Sequence, residues 1–204
     1  MEETTRKIVR VALIGPESTA KSTLSDDLAK HYNTVYVKEY SRTYLKNIGR
    51  RYTLEDVIAI AKEQQRQENA MLSQANKILF ADTELIVSKV WCEDVFKTTP
   101  QWIKENIIRY KYDLYLLTYH DLPWEADPVR ENGHRRPFFF DWYERELKAI
   151  GANYEIIRGN GAYRFRNAIE AIERANLPIE DEQIHRNARK AYRIFRILAR
   201  IFGA

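Results

Sequence analysis

Residues 15–23 read GPESTAKST, which matches the phosphate-binding pattern G-x-x-x-x-G-K-[ST] everywhere except at Ala20, where the pattern places its second glycine. Backbone N–H groups of such a loop cradle phosphates at a helix N-terminus. Lys21 then reaches the β- and γ-phosphates, and the Ser22 hydroxyl ligates magnesium. Gly15, Glu17, Ser18, Thr19, Ala20, Lys21, Ser22 and Thr23 are the candidate ATP contacts. A methyl group at position 20 penalises positive φ and crowds the backbone near the phosphates, so a working loop and a disabled one both stay open.

Transfer to a hydroxyl also needs a group to orient and deprotonate it, and positioning plus electrostatics supply most of the rate. Glu39, in KEYSRTYL, is a candidate for that role, with Arg42 three residues on to anchor the acceptor or hold the carboxylate; a surface ion pair between the two is the plainer reading. Asp82, in LFADTEL, is a candidate for magnesium and its waters, or a helix N-cap. The segment WEADPVRENGHRRP (124–137) gathers Arg130, Arg135 and Arg136, cations suited to charge developing on a migrating phosphoryl group; a solvated loop is the alternative. GNGAYR (159–164) is suited to wrapping an adenine ring, with Arg164 stacking on it, or is a plain turn. Trp124 could act as a stacking platform.

These residues need a scaffold, and the hydrophobic pattern supplies one. Strands are predicted at 8–14, 35–37, 77–81, 113–118 and 154–158. Helices are predicted from Lys21, over 54–76 with Thr53 and Asp56 as a cap, over 83–110 with a break at Pro100, over 139–149 and over 162–175. Strands alternating with helices imply an α/β fold, a three-layer α/β/α sandwich with a five-stranded parallel sheet. Ligands collect at the carboxyl ends of such strands, which here carry Gly15, Glu39, Asp82, residues 118–121 and Gly159.

The 204 residues suffice for one domain, expected at 1–177 with an arginine-bearing lid at 121–137, plus an appendage at 178–204. The basicity behind the net charge of +4 belongs to the end of that appendage. Residues 183–204 hold six basic groups and no carboxylate, leaving 27 basic against 29 acidic groups in the rest. Apolar and arginine residues alternate there at helical spacing, from Ile184 to Phe202 and from Arg186 to Arg200. A helix with an apolar and a basic stripe is expected, packed on the domain or on a second subunit; a membrane surface or nucleic acid is less favoured. The single cysteine, Cys92, rules out an internal disulfide, and the four histidines share no metal-ligand spacing, so zinc is not indicated. With no signal peptide pattern or apolar run near 20 residues, a cytoplasmic protein is expected.

From about residue 8 to 175 the chain resembles the nicotinamide riboside kinase module of the bacterial NadR family. The resemblance rests on GPESTAKSTL against the family's GPESTGKSTL-like loop, EYSRTYL against EYxRxYL, FADTEL, YDLYLLT, and WEADPVR against W-x-x-D-G-x-R. It implies a P-loop kinase-like fold and ATP- and Mg2+-dependent phosphorylation of nicotinamide riboside to its mononucleotide. The catalytic set it implies is Lys21, Glu39, Asp82 and Arg130, with Ser22 and Asp82 toward the metal, Arg135, Arg136 and Arg164 toward ATP, and Glu39, Tyr40, Arg42, Trp124 and Asp127 toward the acceptor. The fused adenylyltransferase and DNA-binding modules of larger members have no counterpart, so a stand-alone kinase is implied. Three positions depart from the family: Ala20 and Pro128 replace glycines, and Lys38 stands where some members carry an aromatic able to stack on the nicotinamide ring. A kinase of another nucleoside and a nucleotide-sensing regulatory protein remain as alternatives.

Overall fold

A computed structural model describes residues 8–127 and 132–179. Arg130 and nearly all of the expected C-terminal helix at 178–204 lie outside the described residues. Five strands, β1 (Val9–Ile14), β2 (Tyr36–Val37), β3 (Ile78–Asp82), β4 (Leu114–Thr118) and β5 (Tyr154–Ile157), form one parallel sheet in the order β2-β3-β1-β4-β5. The central strands β1, β3 and β4 are apolar nearly throughout because both faces are covered.

Alternation along β1 divides the core. Val9, Val11 and Leu13 face α1 (Lys21–His31) and, late in the chain, α7 (Gly161–Arg174). Ala12 and Ile14 face the other layer. That layer holds α3 (Leu54–Met71), α4 (Leu85–Phe96), α5 (Gln101–Arg109) and α6 (Arg136–Ala149). The result is the expected three-layer sandwich with its loops at the carboxyl end of the sheet.

Local signals fix most boundaries. Thr53 Oγ1 accepts the Asp56 N–H at 3.4 Å and the Asp56 carboxylate accepts the Thr53 N–H at 2.8 Å, a reciprocal cap that starts α3. That helix gives way to a 3-10 turn at Leu72–Gln74, a little short of the expected end. The break between α4 and α5 falls at residues 97–100, with Lys97 left-handed and Pro100 opening the second helix. One helix was not expected: α2 (Tyr40–Asn47) begins directly after Glu39 and buries none of its residues.

Candidate functional site

The phosphate loop leaves β1 at Gly15, whose φ of 142° suits only glycine. A Cβ built there would lie 2.4 Å from Thr118 Oγ1 on the neighbouring strand. Behind the loop, Thr19 Oγ1 lies 2.8 Å from Pro16 O and 2.7 Å from Thr118 Oγ1, which in turn lies 3.1 Å from Ile14 O. Two hydroxyl protons can fill two of these three contacts at a time, and the close approach of the two hydroxyls sets the loop against β4. Ser18 and Ala20 are both left-handed, at φ 57° and 60°, on either side of Thr19. Such an alternation at a helix head turns backbone N–H groups toward one point and makes an anion nest. Ala20 thus takes up the conformation that the missing glycine would adopt freely, at a cost of about 1–2 kcal/mol. Lys21 Nζ donates to Gly15 O and Pro16 O, both at 2.9 Å, and so spans the loop.

Beside the loop, Asp82 ends β3 with 1% of its surface exposed, and its Oδ1 is buried without a hydrogen-bond partner. Burial first, and then the charge of Glu39, push its carboxyl up to about 6, while Lys21, Ser22 and Arg42 pull it back. A buried oxygen with an open lone pair next to a serine hydroxyl fits Mg2+, which takes few protein ligands and keeps water and phosphate oxygens. Among the described residues no cluster of three or more His, Cys, Asp or Glu side chains could hold a metal by itself. Asp82 is not the helix cap: that place is taken by Glu84, whose side chain accepts the Ile86 N–H at 2.9 Å. Between the two, Thr83 is held at φ 71°, a strained conformation for a β-branched residue, with its N–H on Leu13 O at 3.0 Å.

Glu39 and Arg42 sit across from the loop because α2 starts there. Gln64 of α3 accepts the Tyr40 N–H at 2.9 Å, and the Tyr44 hydroxyl donates to Asp56 at 2.7 Å, so two side chains of α3 fasten a helix that buries no residue fully. Ser41 Oγ donates to Glu39 Oε1 at 2.9 Å. Arg42 Nε lies 3.4 Å from Glu39 Oε2, and its Nη1 bonds Asp127 at 3.0 Å. The ion pair read from the sequence therefore exists, within the site. A cleft of about 260 Å3 joins residues 17–23 to Glu39, Ser41 and Arg42, with residues 122, 123 and 125 opposite. Tyr40 does not line it; its ring packs toward Tyr44. A shallower groove of about 500 Å3 between α1 and α7 holds none of the candidate residues.

The arginines part company. Arg136 Nη1 donates to Leu122 O at 2.7 Å and reaches Ser18 O at 3.5 Å, with its guanidinium 5.9 Å from the Trp124 ring. It belongs to the loop's surroundings. Arg135 turns the other way, paired to Asp94 of α4 at 2.6 and 2.9 Å and packed on Phe138 and Phe139. Arg164 corrects a second expectation. It is 2% exposed and surrounded by acceptors from its own protein, so it has no free face for an adenine ring. Glu125 and Asn132 also meet the loop: the Glu125 N–H donates to Ser18 Oγ at 2.9 Å, and the Asn132 N–H to Glu17 Oε2 at 2.9 Å. Trp124 stands 36% exposed at this edge. Thr118, Ser41 and Gln64 are additions that sequence reasoning did not assign to the site. Only Thr118 carried a signal, its place at a strand end.

The fold matches that of solved proteins. Over 85% of this chain and 52% of the other, it superposes on a crystal structure of NadR protein in complex with NR with a TM-score of 0.69 at 23% identity. Deoxyadenosine kinase from M. mycoides matches over 83% of this chain and all of its own, with a TM-score of 0.56 at 11% identity. In sequence, the chain is 31% identical over 129 residues to the trifunctional NAD biosynthesis/regulator protein NadR of Salmonella typhimurium, and 32% identical to that of Escherichia coli. Each match covers 60% of this chain, and the chain spans about a third of the length of these curated relatives (31%). A family model described as an AAA domain matches residues 10–164, most of the chain and all of the site, and the chain belongs to that AAA domain family.

Proposed function

We propose that the protein transfers the γ-phosphoryl group of ATP to the hydroxyl of nicotinamide riboside, giving the mononucleotide. The observation that carries this reading is the shared cleft, in which the phosphate loop with Lys21 and Ser22 opens onto Glu39 and Arg42 across the buried Asp82. The similarity to NadR, and the NR bound in the solved NadR structure, support the choice of acceptor.

The loop's N–H groups hold the phosphates, and Lys21, released from its carbonyl partners, follows the γ-phosphoryl group during transfer. Glu39 accepts the proton of the attacking hydroxyl as the new P–O bond forms and the bond to the ADP oxygen breaks. Arg42, tied to Glu39 and Asp127, orients acceptor and base. Asp82 and Ser22 would hold magnesium, which would supply positive charge against the phosphates. Arg136 adds a positive group beside Ser18, and Arg130 is carried into the proposal on the family motif alone. The single cysteine supports a cytoplasmic setting, and the striped segment 184–202 supports packing on this domain or on a second copy; no described helix is long and apolar enough to cross a membrane.

One observation favours a second reading, a kinase of another nucleoside: Lys38 is exposed and brings no ring to the site. Incubating the protein with Mg-ATP and a panel of nucleosides separates the two. Nicotinamide mononucleotide is the expected product, and Lys21→Ala is expected to lower its formation at least roughly 10²–10³-fold. Phosphorylation of a different nucleoside selects the second reading, nucleotide binding without any product points to a sensing role, and full turnover in Lys21→Ala overturns the phosphate site.

A further inference from the structure

Arg164 was expected to meet the adenine ring, and the contacts around it give it other work. A guanidinium has five N–H donors and no acceptor. Here Nε donates to Gly159 O at 2.7 Å, Nη1 to Thr19 O at 3.1 Å and to Ile157 O at 3.4 Å, and Nη2 to Tyr119 O at 3.1 Å and to the Asp121 carboxylate. All five donors are used. The acceptors come from the segments following β1, β4 and β5 and from the last residue of β5, so one side chain ties together three carboxyl ends of the sheet. Asp121 is held in turn, its Oδ2 accepting the Gly159 N–H at 2.7 Å.

The bond to Thr19 O matters most. A peptide unit is planar and trans, so its C=O and the following N–H point in opposite directions. Drawing Thr19 O back toward Arg164 sends the Ala20 N–H forward, into the nest. The same peptide plane sets φ at Ala20, the position where a methyl group makes the left-handed turn unfavourable. We propose that Arg164, fixed by Asp121, is a positioning residue that holds the Thr19–Ala20 peptide in its phosphate-binding orientation and offsets the absence of glycine at position 20. This rests on the kinase reading above, deepening it at the phosphate loop.

Arg164→Lys keeps the charge but has only three donors and no planar fork. In the full chain, it is expected to raise the KM for Mg-ATP about 10-fold or more, with the KM for the acceptor changed less than about twofold. In an Ala20→Gly background the same substitution is expected to cost several-fold less, because glycine takes the turn without help. Should Arg164→Lys not fold, Asp121→Asn frees the guanidinium at one point and is expected to shift the same constant about three- to fivefold. A purely structural role predicts a lower melting temperature with both KM values unmoved, or an equal loss in both backgrounds, and either result overturns the proposal. Calorimetry keeps the two levels apart. A wild-type protein that binds Mg-ATP but phosphorylates no nucleoside removes the kinase reading and leaves the ATP Kd of each variant as the measure of the brace. A wild-type protein that binds no ATP overturns both.

Discussion

The sheet buries a carboxylate at each end, and the two are treated differently. At the base, Glu68 is 3% exposed, and its Oε2 receives Arg10 Nη2 at 2.6 Å and the Tyr112 hydroxyl, while the Arg10 guanidinium lies 4.5 Å from the Tyr112 ring centre. At the top, Asp82 is equally buried, yet one of its oxygens has no partner, and an acidic neighbour, Glu39, works against its charge. Burying a charge is costly unless it is paired. The base meets that cost within its own chain, and the top leaves one oxygen unmet. On the function proposed above, the contrast separates a carboxylate that holds the fold from one that serves a ligand, although the two are similarly buried.

Substituting both residues tests the contrast with the largest effects. Glu68→Ala leaves Arg10 buried without its partner and is expected to cost about 3–5 kcal/mol in urea denaturation, with turnover per folded molecule retained. Asp82→Asn removes a charge that burial and Glu39 disfavour, so stability is expected to hold or rise, while phosphoryl transfer falls roughly 10²–10³-fold. If Asp82→Asn unfolds the protein, or Glu68→Ala abolishes activity in molecules that remain folded, the two carboxylates do not differ in kind.

Asp56 belongs with the base although it stands beside the site. Its carboxylate accepts from Arg50, from the Tyr44 hydroxyl and from the Thr53 N–H, and these bonds, Arg50 first, hold its pKa well below the ordinary carboxylate range. A depressed acid stabilises the fold fully above its unfolded value near ~4 and loses that contribution as pH falls toward the folded one. Asp56→Asn is therefore expected to flatten the acid side of the stability profile relative to wild type and to lower the urea midpoint at pH 7 by less than Glu68→Ala does. Because Tyr44 then loosens α2, the acceptor KM is expected to rise several-fold while the ATP KM stays put. A change confined to the ATP KM would mean that α2 does not carry the acceptor side.

How much of this was legible in the chain follows from where each signal resides. The phosphate loop and the reciprocal cap at Thr53 are written in adjacent residues, and the buried strands in runs that are apolar nearly throughout. Helix α2 is different. Eight residues with no buried member are too few to hold a helix by themselves, and this one is fastened by Gln64 and Asp56, far along the chain. The arginines after residue 124 were equivalent by type. Only their partners, Asp94 for Arg135 and Ser18 O for Arg136, tell them apart. Arg164 looked available because a sequence cannot display the carbonyls that converge on it.

The smallest expected effect concerns strain, which the ligand end carries at Ser18, Ala20 and Thr83. Ala20→Gly removes the methyl group from a residue held at φ 60° but gives the unfolded chain more freedom, so the two terms partly cancel. A net gain of about 0.5–1 kcal/mol in urea denaturation is expected, together with a two- to fivefold lower ATP KM, since more molecules would hold the nest formed before nucleotide arrives. The corresponding change at the base, Lys77→Gly, also replaces a left-handed residue, at φ 67°, and is expected to move stability by a similar amount with the ATP KM unchanged. Equal effects of the two substitutions on the ATP KM would show that strain at position 20 is ordinary turn strain, unconnected with phosphate binding.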